Sequence, residues 1–260
     1  KHSDEIELVT TNANSDTNKQ ISDIEDLMSQ NIDLLIVAPF ATEPLTPIVA
    51  EVYDKGIPVI VIDHEVNGDK FTSYIGASNE EIGTRAGEEI AKVLNGKGNV
   101  IELCGIPGMS PTIGRGDFMH DVVKKYSDIK FLASLNGQYD QTTAMNLMED
   151  ILQSHEASDI DLIYTHNDSM ALGALQTIED AGYGDLGIKI LSIDAQKKTL
   201  EYIKEGKVYG SFTYPWPADK AIETALKVLH GEKVEKNIVL ETTLVTKDNV
   251  DQFYDPESTY

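Results

Sequence analysis

The chain has 260 residues, 41% of them hydrophobic, and its 44 acidic against 21 basic residues give a formal charge of −23. That length suits two ordinary domains better than one core. The charge excludes the basic footprint that nucleic-acid binding requires. It also disfavours anionic ligands at long range, leaving neutral, polyhydroxy or cationic ones open.

Strand and helix patterns alternate regularly along the chain. Strands are predicted at Ile6–Thr10, Leu34–Pro39, Pro58–Asp63, Val100–Cys104, Phe131–Leu135, Leu162–Thr165, Ile188–Asp194 and Val208–Thr213. Most are near-continuous Val/Ile/Leu runs, as expected of parallel strands covered on both faces. Between them lie helical stripes. Ile21, Ile24 and Met28 share a face, as do Leu45, Ile48, Val49 and Val52 before Gly56. Ile82, Ala86, Ile90, Val93 and Leu94 run up to Gly96; Ala144, Leu147, Met148 and Ile151 follow, then Ile222, Ala225, Leu226 and Leu229. Spacings of three and four mark amphipathic helices, and their alternation with strands predicts a doubly wound α/β fold.

Cys104 is the only cysteine, so no intrachain disulfide forms, and its place in an apolar run predicts a buried, inert thiol. No run of 18 apolar residues is present, and no secretory signal. The opening Lys1–His2–Ser3–Asp4–Glu5 already reads as the approach to a strand, which suggests a processed, trimmed or incomplete N-terminus.

The segment Ile163–Leu175 is the most informative. A strand runs into the polar tetrad His166–Asn167–Asp168–Ser169, and the tetrad opens a helix of small apolar residues. Asn167 and Asp168 therefore stand at the carboxyl end of a buried strand, where open α/β sheets bind ligands. An amide that donates and accepts, beside a carboxylate that only accepts, suits hydroxyl recognition. The same residues also suit a plain helix N-cap. Gly76–Ala77–Ser78–Asn79 and Tyr214–Pro215–Trp216–Pro217 read as crossings between two lobes. The predicted domains are 1–77 plus 214–241, and 78–213 plus 242–260, joined by a hinge of several crossings around a cleft.

An ordered set of segments resembles the type I periplasmic sugar-binding proteins, the ribose/galactose-binding group of ABC-transporter solute receptors. The set is Gly56–Asp63, Tyr74–Asn79, Asn99–Gly105, Arg115–Gly116, His166–Ala174 and Ser192–Asp194. It covers essentially the whole chain. The sequence is also similar to the extracellular sugar-sensing domains of hybrid two-component receptors. In the family, Glu5–Asn12 aligns with the second strand, so a first strand and helix of about 30 residues is missing from this sequence. Ile6–Thr10 and Leu34–Pro39 are then expected to pair directly or to flank a gap with apolar edges.

The resemblance implies a neutral monosaccharide, a pentose or hexose, held between the lobes by Asp63, His64, Arg115, Tyr139, Asn167, Asp194, Thr213 and Phe40. Asp63 keeps the family carboxylate, whereas His64 stands where the family usually has a bidentate arginine. Arg115 matches an arginine that donates to sugar oxygens. Tyr139 and Phe40, with Trp216, supply aromatic faces for sugar C–H groups. No cofactor, no metal and no catalysis are implied. The implied partner is an ABC-transporter permease or a membrane receptor kinase, in the periplasm or outside the cell, with a lipid anchor allowed. An α/β enzyme using Asp63, His64 and Asp194 lacks a nucleophile elbow, a phosphate loop and a dinucleotide fingerprint. A sugar-responsive repressor would need an N-terminal DNA-binding helix pair.

Overall fold

The computed structural model describes residues 5–258. The chain divides into two compact units. One runs through Ile75 and adds Pro217–Ile238; the other holds Gly76–Trp216 and the chain from Val239. The chain therefore passes three times from one unit to the other.

The first unit holds α1 (Thr17–Ser29), β1 (Leu35–Val37), α2 (Thr42–Asp54), β2 (Val59–Ile62), β3 (Ser73–Ala77), α8 (Ala218–Leu229) and β9 (Asn237–Leu240), the last two strands straddling its boundary. Its sheet order is β1-β2-β3-β9, with β1 to β3 parallel. Leu35, Val37, Val59 and Val61 meet Leu45, Val49 and Val52 of α2 and Ile24 of α1, as the stripes predict; on α1 Leu27 is buried as well, while Ile21 and Met28 of the predicted stripe pack there only partly buried.

Two expectations fail here. Ile6–Thr10 is not a strand, and Leu8 and Val9 are 63% and 49% exposed. The apolar β-prone residues are present, but a strand requires a ladder, and among the described residues β1 pairs only with β2. On α8 the buried residues are Ala221, Thr224 and Ala225; of the predicted stripe Ile222, Ala225, Leu226 and Leu229 only Ala225 is buried, Ile222 and Leu226 are half-buried and Leu229 is 42% exposed. Small residues face inward there because α8 packs close to the strand β2.

The second unit holds α3 (Asn79–Val93), β4 (Lys97–Cys104), α4 (Ser110–Val123), β5 (Asp128–Asn136), α5 (Gln141–Ser154), β6 (Leu162–Thr165), α6 (Asp168–Asp180), β7 (Lys189–Asp194), α7 (Lys197–Glu205), β8 (Gly210–Thr213) and β10 (Leu244–Thr246). The sheet order is β10-β8-β7-β6-β4-β5, parallel except for the antiparallel edge strand β10. Strand residues alternate between two cores. Ile101, Leu103 and Ile163 pack with α5 and α6, while Val100, Leu162 and Tyr164 pack with α3 and α4. Both faces are covered, which accounts for the unbroken apolar runs. The short strands β3, β9 and β10 are absent from the predicted set.

Candidate functional site

In the second unit the chain order reverses at β4. β5 lies on one side, and β6, β7 and β8 follow on the other. Where order reverses, the loops leaving adjacent strands diverge and open a crevice at the carboxyl ends. Arg115, Tyr139, Asn167 and Asp194 all belong to the segments that leave β4, β5, β6 and β7 at that end.

Arg115 sits on α4 and is 4% exposed. Its Nε donates to Asn79 Oδ1 at 2.9 Å and its Nη1 to the His166 carbonyl at 2.6 Å. The guanidinium lies 4.7 Å from the Tyr214 ring centre and 5.9 Å from that of Tyr139. Burial opposes its charge, but Tyr139, Tyr214 and Asp194 together favour the cation. Close helix packing puts it there. A Cβ on Gly83 of α3 would stand 2.3 Å from the Gly114 carbonyl of α4, so only glycine allows this approach.

Tyr139 lies against the backbone of Gly105, where a Cβ would fall 2.0 Å from the ring. Its hydroxyl is 2.9 Å from Thr112 Oγ1. Asn167 does two jobs at once. Its Oδ1 caps α6 by accepting from Met170 N at 3.0 Å, and its Nδ2 donates to the Tyr139 carbonyl at 3.3 Å. Asp168 parts company with it. Asp168 is fully buried and accepts from Ser192, Ser211 and the Gln196 N–H. Burial pushes its carboxyl up to about 6, against the opposing pull of those hydrogen bonds.

Backbone strain concentrates at this end. Among described residues other than Asn, Asp and Gly, left-handed φ occurs at Ser15, Gln138, Tyr139 and Ala195, and Asp194 has the extreme φ of 123°. Four of these five belong to the Tyr139 and Asp194 turns. Such conformations cost on the order of 1–3 kcal/mol each and persist where the surroundings over-determine them, often at functional sites.

Beneath the site, Glu102 is 1% exposed and accepts from His166 Nε2 at 3.2 Å and His120 Nε2 at 2.9 Å. Burial opposes its ionisation, but the two histidine hydrogen bonds prevail and hold its carboxyl below the usual range. Burial keeps His166 neutral, whereas the bond to Glu102 raises His120. Glu102, Cys104 and His166 bring one potential metal-ligand atom each within 4.8 Å of one another. The hydrogens speak for a different role. Gly105 N–H donates to His166 Nδ1 at 3.3 Å, so Nε2 carries the ring proton and gives it to Glu102 rather than offering a lone pair to a cation. Cys104 is half-buried rather than fully buried, and desolvation beside the Glu102 charge pushes its thiol up, in keeping with an inert sulfur.

The other predicted residues are placed as follows. In the first unit, Asp63 ends β2 with φ 63°, and His64 donates from Nδ1 to the Pro39 carbonyl at 2.9 Å, with Nε2 3.4 Å from Asp63 Oδ2. Phe40 is half-buried, and its N–H donates to Gln20 Oε1. In the second unit, Thr213 Oγ1 accepts from Thr243 N–H at 2.9 Å. Trp216 is 76% exposed. Asp168, which the sequence pairs with Asn167 for hydroxyl recognition, is instead enclosed with Ser192 and Ser211, whereas Asn79 and Tyr214 belong around the site and are not among the residues expected there. Asn79 and Tyr214 lie in the two crossing segments, and that position was their only signal.

A family model described as a periplasmic binding protein domain matches residues 2–233. The chain belongs to this family of periplasmic binding proteins. Among curated relatives, the ribose import binding protein of Bacillus subtilis is 32% identical over 93% of this chain and 78% of its own length. The xylitol-binding protein of Mycolicibacterium smegmatis is 34% identical over 95% of this chain and 70% of its own. Among solved structures, the fructose-binding periplasmic domain of a hybrid two-component system matches with TM-score 0.90 and 34% identity, over 97% of this chain and 84% of that one. An ABC transporter solute-binding protein from Bacillus halodurans with bound myo-inositol matches with TM-score 0.89 and 30% identity, over 95% and 86%. As a periplasmic binding protein, the chain is a solute-binding module of the two-lobe α/β class. Membership implies a periplasmic or extracellular setting.

Proposed function

We propose that this periplasmic binding protein binds a neutral pentose or hexose without transforming it and delivers it to an ABC-transporter permease. One observation carries the reading. At the strand-order reversal of the second unit, a buried guanidinium on α4 and an amide at the start of α6 are joined by an aromatic ring and a carboxylate that are held on strained turns. Guanidinium and amide donate, carboxylate accepts, and the ring covers C–H faces, which is the chemistry a polyhydroxy ligand needs. Asp63, His64, Phe40 and Thr213 are further ligand groups in the same proposal. The strong negative charge agrees with an uncharged ligand. Relatives named for ribose, xylitol and fructose support a sugar or sugar alcohol.

The test is a thermal-shift panel of pentoses, hexoses and polyols, followed by calorimetry and chromatographic recovery of the sugar. A ligand at a hundred times its Kd stabilises by about 2.7 kcal/mol, which is several degrees in Tm. A panel without any shift, or a sugar recovered as a different compound, defeats the proposal. A second reading, the sensing domain of a two-component receptor, draws on the match to the fructose-binding sensor domain. A gene that continues beyond Tyr260 into a membrane span and kinase would decide for it.

A further inference from the structure

Asp194 and Ala195 follow one another at φ 123° and 52°, so two consecutive side-chain-bearing residues occupy backbone that such residues avoid. Something must hold the turn. The Ala195 N–H donates to Ser211 Oγ at 2.9 Å, and the Gln196 N–H donates to Asp168 Oδ2 at 2.6 Å. Ser211 Oγ in turn donates to Asp168 Oδ1 at 2.7 Å, and Ser192 Oγ donates to the same oxygen at 2.5 Å. One carboxylate thus reaches both amides that follow Asp194, one directly and one through a serine that accepts and donates in series. Asp168, Ser192 and Ser211 are each 0% exposed and come from α6, β7 and β8. A group so enclosed has no route to a ligand of its own.

We propose that Asp168 is a positioning residue for sugar recognition: it clamps the strained Asp194–Ala195 turn so that the Asp194 carboxylate is aimed before the ligand arrives. The inference rests on the proposed sugar site and assigns to Asp168 a part distinct from that of its neighbour Asn167. Holding a binding group in its bound conformation raises affinity by removing an ordering cost at the moment of binding. A single negatively charged acceptor suits this task. It serves three donors at once, and a buried carboxylate is costly to leave with fewer partners. An amide at this position would turn its NH2 toward a donor.

The experiment combines calorimetry with amide hydrogen exchange on the whole chain. The probes are D-ribose, D-fructose, xylitol and myo-inositol, and the variants are Asp168→Asn, Ser211→Ala, Asp194→Ala and the Asp168→Asn/Asp194→Ala pair. Asp168→Asn and Ser211→Ala each weaken binding roughly ten-fold. In the Asp194→Ala background, Asp168→Asn adds less than about two-fold, because its effect passes through Asp194. A general structural role would carry its full effect into that background. Exchange at the Ala195 and Gln196 amides is slow in the wild type and fast in Asp168→Asn. If Asp168→Asn does not fold, Ser211→Ala alone still releases Ala195. Wild-type affinity in either variant, or an additive pair, overturns the proposal while leaving the sugar site standing. A wild type that binds none of the four probes counts against the sugar reading instead. Exchange then decides the clamp, which equal rates in wild type and variant would overturn.

Discussion

Replacing Asn167 separates two functions that one side chain performs. Its Oδ1 accepts from Met170 N at 3.0 Å and caps α6; its Nδ2 donates one N–H to the Tyr139 carbonyl at 3.3 Å, and the proposed sugar site uses the other. Asn167→Ala removes both. Loss of an N-cap costs about 1 kcal/mol, which for a unit of this size is a Tm lowered by about 2–4 °C. Loss of a buried donor to a hydroxyl costs roughly 1–3 kcal/mol, so affinity falls by about ten- to a hundred-fold. Asn167→Ser keeps an acceptor for the helix amide and stays within a few tenths of a kcal/mol of wild-type stability. It is too short to present the amide N–H, so it loses the same affinity as alanine. Differential scanning calorimetry gives the first quantity, and titration calorimetry with the sugar found in the panel gives the second. A serine variant that binds as tightly as wild type would refute the ligand role and leave Asn167 as a cap alone. An alanine variant with unchanged Tm would refute the cap.

Gly105→Ala should displace the Tyr139 ring, since its Cβ would meet that ring at 2.0 Å; affinity drops about ten-fold while the far-ultraviolet circular dichroism is retained, and unchanged affinity removes Tyr139 from the site. Gly83→Ala drives a Cβ to 2.3 Å from the Gly114 carbonyl; overpacking of about 1–3 kcal/mol lowers Tm and loosens Arg115, and a wild-type Tm counts against the close helix crossing. Stability against pH carries two opposite signatures, read by urea unfolding at stepped pH. Glu102 has its carboxyl held low by His120 and His166, so its contribution is present above the ordinary glutamate range and is lost as pH falls below it. Asp168 is raised to about 6, so between the ordinary aspartate range and that value the folded chain holds a proton the unfolded chain has released, and stability declines as pH rises. Glu102→Gln abolishes the first slope and Asp168→Asn the second; a slope that survives its own substitution refutes the assignment.

Much of this was legible where a local rule governs. Leu162–Thr165 is apolar throughout because both faces of β6 are covered, and the polar residues at 166–169 mark its exit. Asp194 also ends such a run, and the family resemblance marks it as a candidate ligand. Local rules fail where the partner is distant. Ile6–Thr10 has strand-forming residues and no ladder to join. The helical stripe at 222–229 is real in sequence, yet a neighbouring set of small residues turns inward. Asp168 stands beside Asn167 in sequence and shares its chemistry. Only the serines that it meets, 24 and 43 positions away, show that it serves the backbone. Glu102 lies in an apolar run whose alternation puts it on the α4 side of the sheet. The two histidines that make its burial tolerable come from 18 and 64 positions away.

The discontinuity of the first unit has a consequence for synthesis. Its opening segment leaves the ribosome first, but Pro217–Ile238, which supplies α8 and the strand beside β3, follows only after all of Gly76–Trp216. At about 5–20 residues per second, the intervening 141 residues (216 − 75) delay completion by roughly 7–28 s. Throughout that interval β3 has a bare edge and the sheet lacks α8; by its end the second unit has its strands β4 to β8 in hand. The first unit therefore spends its nascent life as an unfinished sheet, open to pairing with other chains. Substitutions in Pro217–Ile238 are accordingly felt in the yield of folded protein before they are felt in its affinity.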